Sequence, residues 1–186
     1  VIRSRTQVWA GLAVVAVAAA PPARGFLEGG MALHMLVQIP LLVLAGCGLS
    51  AASPARFRQT LQSFNAHGVT GWALASLVLA FWMLPRALDA AVANAWVDAA
   101  KFAVLLLAGA ALRWSWAASR PVIQLFFIGN WAWMTATAGL LYVETPQRLC
   151  NAYLLGDQAL TGHGLVVAAV LLPLLWARGQ LRKGEA

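Results

Sequence analysis

The chain has 186 residues, 61% of them hydrophobic and 10% charged, with a mean hydropathy of +0.74. A soluble domain carries about 25% charged residues, so this balance argues against soluble catalysis and points to an all-α, polytopic integral membrane helical bundle in a lipid bilayer. The net charge of +7 then reads as topology signals at helix ends rather than as a nucleic-acid footprint.

Arg3 and Arg5, an apolar run from Val8 to Ala20 and a small-residue end resemble a secretory signal, but Pro21 argues against cleavage after Ala20. The segment is therefore expected as a first helix, Thr6 to Ala20, ended by Pro21 and Pro22. A second span is expected from Phe26 to Leu49. The polar stretch SPARFRQTLQSFNAH breaks the apolar pattern, and a third span runs from Phe64 to Leu84, stopped by Pro85. Arg86 to Ala93 reads as an interfacial turn of helix. Asn94 to Trp114, Val122 to Tyr142 and Gln158 to Trp176 complete six transmembrane helices in a single domain, residues 1–186.

With the N- and C-termini cytoplasmic, nine basic residues fall inside: Arg3, Arg5, Arg56, Arg58, Arg113, Arg120, Arg178, Arg182 and Lys183. Four fall outside, Arg24, Arg86, Lys101 and Arg148, as the positive-inside rule requires. Of the acids, Glu28, Asp89, Asp98, Glu144 and Asp157 are outside and Glu185 inside. Cys47 and Cys150 lie on opposite sides, which argues against an internal disulfide. A multi-pass protein of a bacterial-type inner membrane follows.

Met31, His34, Met35 and Gln38 share one face of the second span. His34 lies six residues after Glu28 and His163 six after Asp157, so each imidazole sits about 9 Å below the outer end of its helix. Met83 ends the third span on the same side, Asp89 follows it, and His67 opens that span at the opposite face. Intramembrane ionisable groups mark a functional site by default. Thioethers with imidazole favour copper, especially Cu(I), and nearby carboxylates orient ligands or attract the ion. An outward-facing copper site of His34, Met35 and Met31, completed by Met83 and His163 with Asp89 and Asp157 at its mouth, is thus expected.

Each residue also has a plainer role. His34 or His163 can hydrogen-bond across a helix contact, and Met31 and Met35 can fill core gaps. Asp98 and Lys101, one turn apart, read as an ion pair. Asn130, Met134 and Thr137 read as a polar seam between helices, and Trp72, Trp131 and Trp133 as deep packing residues. A bis-His haem b held by His34 and His163 is a further alternative. No phosphate loop, serine elbow or hydrolase-type zinc motif is present.

Three blocks carry a family resemblance: MALHMLVQIPLLVLAG at Met31 to Gly46, FWMLPRALDAAV at Phe81 to Val92, and GDQALTGHG at Gly156 to Gly164. In order and spacing they resemble CtaG-type membrane proteins, assembly factors for caa-type cytochrome c oxidase, as does KFAVLLLAGAALRWSW. The first block resembles that family's His-Met-x-x-His helix, the second its Trp-His-x-Pro and Asp-Ala-Ala block, and the third its Asp-Gln-x-x-Gly-Gly helix start. Trp82, Pro85, Asp89, Asp157, Gln158 and Gly162 match. Gln38 and Met83 stand where family histidines are expected, Asp98 and Lys101 fall near further histidine positions, and His163 is additional.

The resemblance implies a non-enzymatic protein that handles copper or assists assembly of a copper-containing membrane oxidase. It implies seven spans against the six read here. The departures leave three outcomes: Cu(I) retained through methionine, a structural accessory subunit of a larger membrane protein complex with no metal of its own, or a scaffold reused for haem.

Overall fold

The computed structural model describes residues 2–184; Glu185 lies outside them, as do the side chains of Arg3 and Lys183. Among the described residues there is helix and no strand. In chain order the helices are α1 (Ile2–Ala19), α2 (Pro21–Glu28), α3 (Met31–Leu33), a π turn (His34–Gln38), α4 (Ile39–Leu49), α5 (Ala55–Phe64), α6 (Val69–Trp82), α7 (Pro85–Ala93), α8 (Ala95–Ala118), α9 (Pro121–Glu144) and α10 (Leu155–Gly184).

Three stretches are long and apolar enough to cross a membrane: Met31–Ala52, Ala95–Ala118 and Leu155–Arg182. Two further pairs qualify only if each bent pair is one span, Ser4–Ala19 with Pro21–Glu28 at 76° and Ala55–Phe64 with Ala66–Trp82 at 74°. Three to five candidate spans thus stand against the six expected. The difference lies mainly in α9, whose 24 residues include Gln124, Asn130, Thr135 and Thr137 among its apolar ones.

Several boundaries differ from the sequence reading for local reasons. The expected second span starts at Met31 rather than Phe26, because Gly29 and Gly30 separate it from α2, and Gly30 is extended at φ −139°. The polar stretch expected as a break forms α5, an amphipathic helix with no buried residue. His67 stands at φ 55° and Gly68 at φ 77°, which turns the chain sharply into α6. The Arg86 to Ala93 segment is helical, as read.

Helix α8 packs between α4 and α6, α1 covers α4, and α9 pairs with α10. Small residues set these contacts. A methyl added at Gly109 would run into the backbone of Val43, one at Gly46 into Leu106, and Gly139 meets Gly162 between α9 and α10. His34 lies beside Lys101 and Cys47 beside Gly109, so α4 and α8 run in parallel. Gly68 meets the Ser115 backbone and Gly71 the Ala111 carbonyl, so α6 runs against them. The helix directions gather Glu28, Asp89, Asp98, Glu144 and Asp157 at one end of the bundle. Arg56, Arg58, Arg113, Arg120, Arg178 and Arg182 gather at the other.

Asp89 and Asp157 both act as backbone caps. Asp157, in the first turn of α10, accepts from the Met31 and Ala32 N–H groups, which the start of α3 leaves without helical partners. Asp89 on α7 accepts from Asn151 N at 2.8 Å and Ala152 N at 3.0 Å, pinning the loop between α9 and α10. Next to that anchor Cys150 is free, 1% exposed, and its Sγ donates to Pro85 O at 3.5 Å. Burial, with the Asp89 carboxylate adding to it, pushes this thiol up to about 12.

The Cys150 thiol therefore stays protonated at pH 8, and the group is shielded as well. In a Cys47→Ser background, Asp89→Ala is expected to release the loop and raise the maleimide labelling rate at Cys150 at least tenfold. An unchanged rate would show that Asp89 does not hold the loop.

Candidate functional site

The centre of the acidic end is Lys101, on the second turn of α8 and 0% exposed. Its Nζ donates to Glu28 Oε1 at 2.9 Å, His34 Nε2 at 2.8 Å and Gln38 Oε1 at 2.9 Å. It also lies 2.7 Å from Asp98 Oδ1, an ion contact without hydrogen-bond alignment. The three protons of the ammonium thus have three acceptors, and a second carboxylate stands against its charge.

The network extends outward through Arg24, which pairs with Asp98 at 2.7 Å and with Glu28 at 3.2 Å. Arg24 is about one-third exposed, whereas the Glu28 and Asp98 side chains are largely covered. Two cations and two anions cancel. That cancellation is what permits the cluster in an apolar bundle, because an unpaired buried charge costs several kcal/mol.

Since His34 Nε2 accepts from an ammonium, the ring proton belongs on Nδ1, which donates to Tyr153 OH at 2.7 Å. Gln38 Nε2 donates to Glu28 Oε1 at 3.1 Å, so both ends of that amide are used. Burial raises the Tyr153 hydroxyl above its ordinary pKa, with the nearby Glu28 carboxylate next in effect, and the phenol stays neutral.

Local sequence explains the convergence. Pro40 has no N–H to give to the carbonyl one turn before it, and the helix widens to a π turn at His34–Gln38, where Ile39 N reaches His34 O. The turn keeps His34 and Gln38 both on the α8 side, and the glycine contacts at Gly46 and Gly109 bring the two backbones close enough for the lysine to meet them.

The residues expected to hold copper are only partly brought together. Met31 and Met35 are buried beside His34, but in the apolar core with Leu42, Trp82 and Leu105. Met83 belongs to the edge of that core, and its Sδ accepts from Thr135 Oγ1 at 3.9 Å. His163 does not join them: it is exposed on α10, and its Nδ1 bonds its own helix at Ala159 O, 2.8 Å away. The two-histidine haem arrangement loses its second ring for the same reason. Asp89 and Asp157 are committed to backbone caps, as described above.

Both ring nitrogens of His34 are engaged, and an ammonium occupies the space where a metal would meet Nε2. No three His, Cys, Asp or Glu side chains among the described residues are placed to hold one ion. The donor set as it stands does not fit copper.

Two smaller expectations also change. Asn130, Met134 and Thr137 share a face but are exposed, bonding one another or their own helix rather than a neighbour. Trp133 is 75% exposed, whereas Trp72 is buried as expected and stacks on Phe127. The Asp98–Lys101 pair is present, but as the core of a larger cluster.

Sequence reasoning missed Glu28, Gln38, Lys101 and Tyr153 as one unit. The available signal was Lys101 itself, a lone cation one turn inside an apolar helix. Tyr153, in an irregular loop, carried none.

Lys101→Met leaves Glu28 and Asp98 buried against a thioether and is expected to destabilise the protein by about 3–5 kcal/mol. Adding Glu28→Gln and Asp98→Asn is expected to recover most of that loss. Reversible unfolding of detergent-solubilised protein measures both, and a Lys101→Met protein as stable as wild type would show that the network does not hold the bundle.

No protein-family model, curated protein or solved structure matches the chain.

Proposed function

We propose that this chain is a CtaG-like, non-enzymatic membrane protein that assists assembly of a copper-containing membrane oxidase, or stabilises it as an accessory subunit, without a metal of its own. One observation carries the proposal: Lys101 sits within 2.7–2.9 Å of four side chains, three of which accept its protons. His34 matches the family histidine, while Gln38, Asp98 and Lys101 stand at or near positions where the resemblance expects further histidines. These separated positions meet at one point, as the parts of a ligand set would, and a tethered cation takes the central place.

Metal analysis of the purified protein tests this. Wild type is expected to carry well below one copper per chain and to co-purify with a larger membrane complex, while Gln38→His with Lys101→His is expected to gain copper. One tightly bound copper per wild-type chain, lost in His34→Ala, would overturn the metal-free assignment and restore the copper-handling one. A wild-type protein without metal that also runs free of any partner would overturn the accessory role.

The charge separation between the two ends supports an orientation with the basic end and both termini cytoplasmic, and with α9 as the sixth span. Topology reporters fused after α5 and after α10 are expected to report the cytoplasmic side, and one fused in the 145–154 loop the opposite side. The reverse pattern would invert the assignment.

A further inference from the structure

A cavity of about 1220 Å³ runs between α4, α6 and α8 on one side and α9 and α10 on the other. It is apolar along its bore and ends beneath Met35 and Met83, just short of the ionic network. Its other end is lined by Arg58, Arg113, Gln62 and Gln180, and among the described residues no acidic one lines it. Compact-ligand pockets run to about 1,000 Å³, so the space suits an elongated molecule.

Length and charge narrow the class. Met35 and Cys47 both line the cavity and are 12 residues apart along the second span, about 18 Å along the axis. Half the hydrocarbon core of a bilayer is about 15 Å, so the bore matches the acyl region of one leaflet. At the mouth, the edge contact of Phe57 with Trp114, ring centroids 5.7 Å apart, brings α5 against α8, and Arg58 and Arg113 both line the cavity there. Arg113 makes one long bond, 3.4 Å to Cys47 O, and neither arginine has an acidic partner among the described residues.

We infer that the cavity is a binding site for one anionic phospholipid of the leaflet at the basic end, with an acyl chain in the bore and the phosphate between Arg58 and Arg113. The site is independent of the ionic network and of the proposed assembly role.

The test uses delipidated full-length protein in phosphatidylcholine nanodiscs doped with phosphatidylglycerol, with lipids retained after release counted by native mass spectrometry. Wild type is expected to retain one phosphatidylglycerol at least tenfold in preference to phosphatidylcholine. Arg58→Gln with Arg113→Gln is expected to bring the two lipids within twofold, whereas Arg58→Lys with Arg113→Lys keeps the preference. Ala168→Trp, which narrows the bore with both arginines intact, is expected to lose bound lipid of either kind. Equal retention of the two lipids by wild type, or retention unmoved by the glutamine or tryptophan variants, would overturn the site. So would a lipid-free dimer with a second copy of the chain filling the groove.

Discussion

A fully buried lysine is the constraint on which the acidic end of this bundle depends. An ammonium in a low-dielectric interior is tolerated only with its protons and its charge both answered. Lys101 draws those answers from Glu28, His34, Gln38 and Asp98, and therefore from three separate helical segments. The consequence is geometric as well as energetic. Helix α2 must turn back so that Glu28 reaches inward, the α3–α4 segment must present both His34 and Gln38, and α8 must approach closely enough for one side chain to span the gap.

Each requirement has a local device. Pro21 with the Gly29–Gly30 pair redirects α2, Pro40 accompanies the π turn, and glycines at 46 and 109 let α4 and α8 touch backbone to backbone. Asp157 then ties the start of α3 to α10, and Tyr153 holds the second nitrogen of His34 from a loop that Asp89 anchors. The two aspartates thus serve the network at one remove. They position the elements that carry its acceptors, and they do so through backbone N–H groups, which a metal ion could not replace.

The fold class was legible because hydropathy over about 20 residues is a strong, local signal. Boundaries followed from Pro and Gly, except where polar α5 forms an amphipathic helix that the apolar pattern does not reveal. The site was legible only in outline. His34, Met31 and Met35 were found at helical spacing, and the matching depth of His163 was a sound inference from residue counts. Depth leaves rotation about the helix axis undetermined, and rotation turns His163 outward. Asp98 and Lys101 were read as a pair because they are neighbours in sequence. Their union with Glu28 required knowing that α2 folds back at Gly29, which no local pattern specifies.

A tethered cation at the centre of a buried cluster sets when such a bundle is complete. A site built of metal ligands leaves like-charged or unsatisfied donors facing one another until the ion arrives, so its stability depends on metal supply. Lys101 is part of the chain and neutralises Glu28 and Asp98 as soon as α2, α4 and α8 meet. Its cost is that the same donors are closed to exchange: His34 cannot offer Nε2 to an incoming ion without first stranding an ammonium among apolar side chains. The acidic end is therefore closed by the chain's own side chains, whereas at the other end two arginines without acidic partners among the described residues line the apolar cavity.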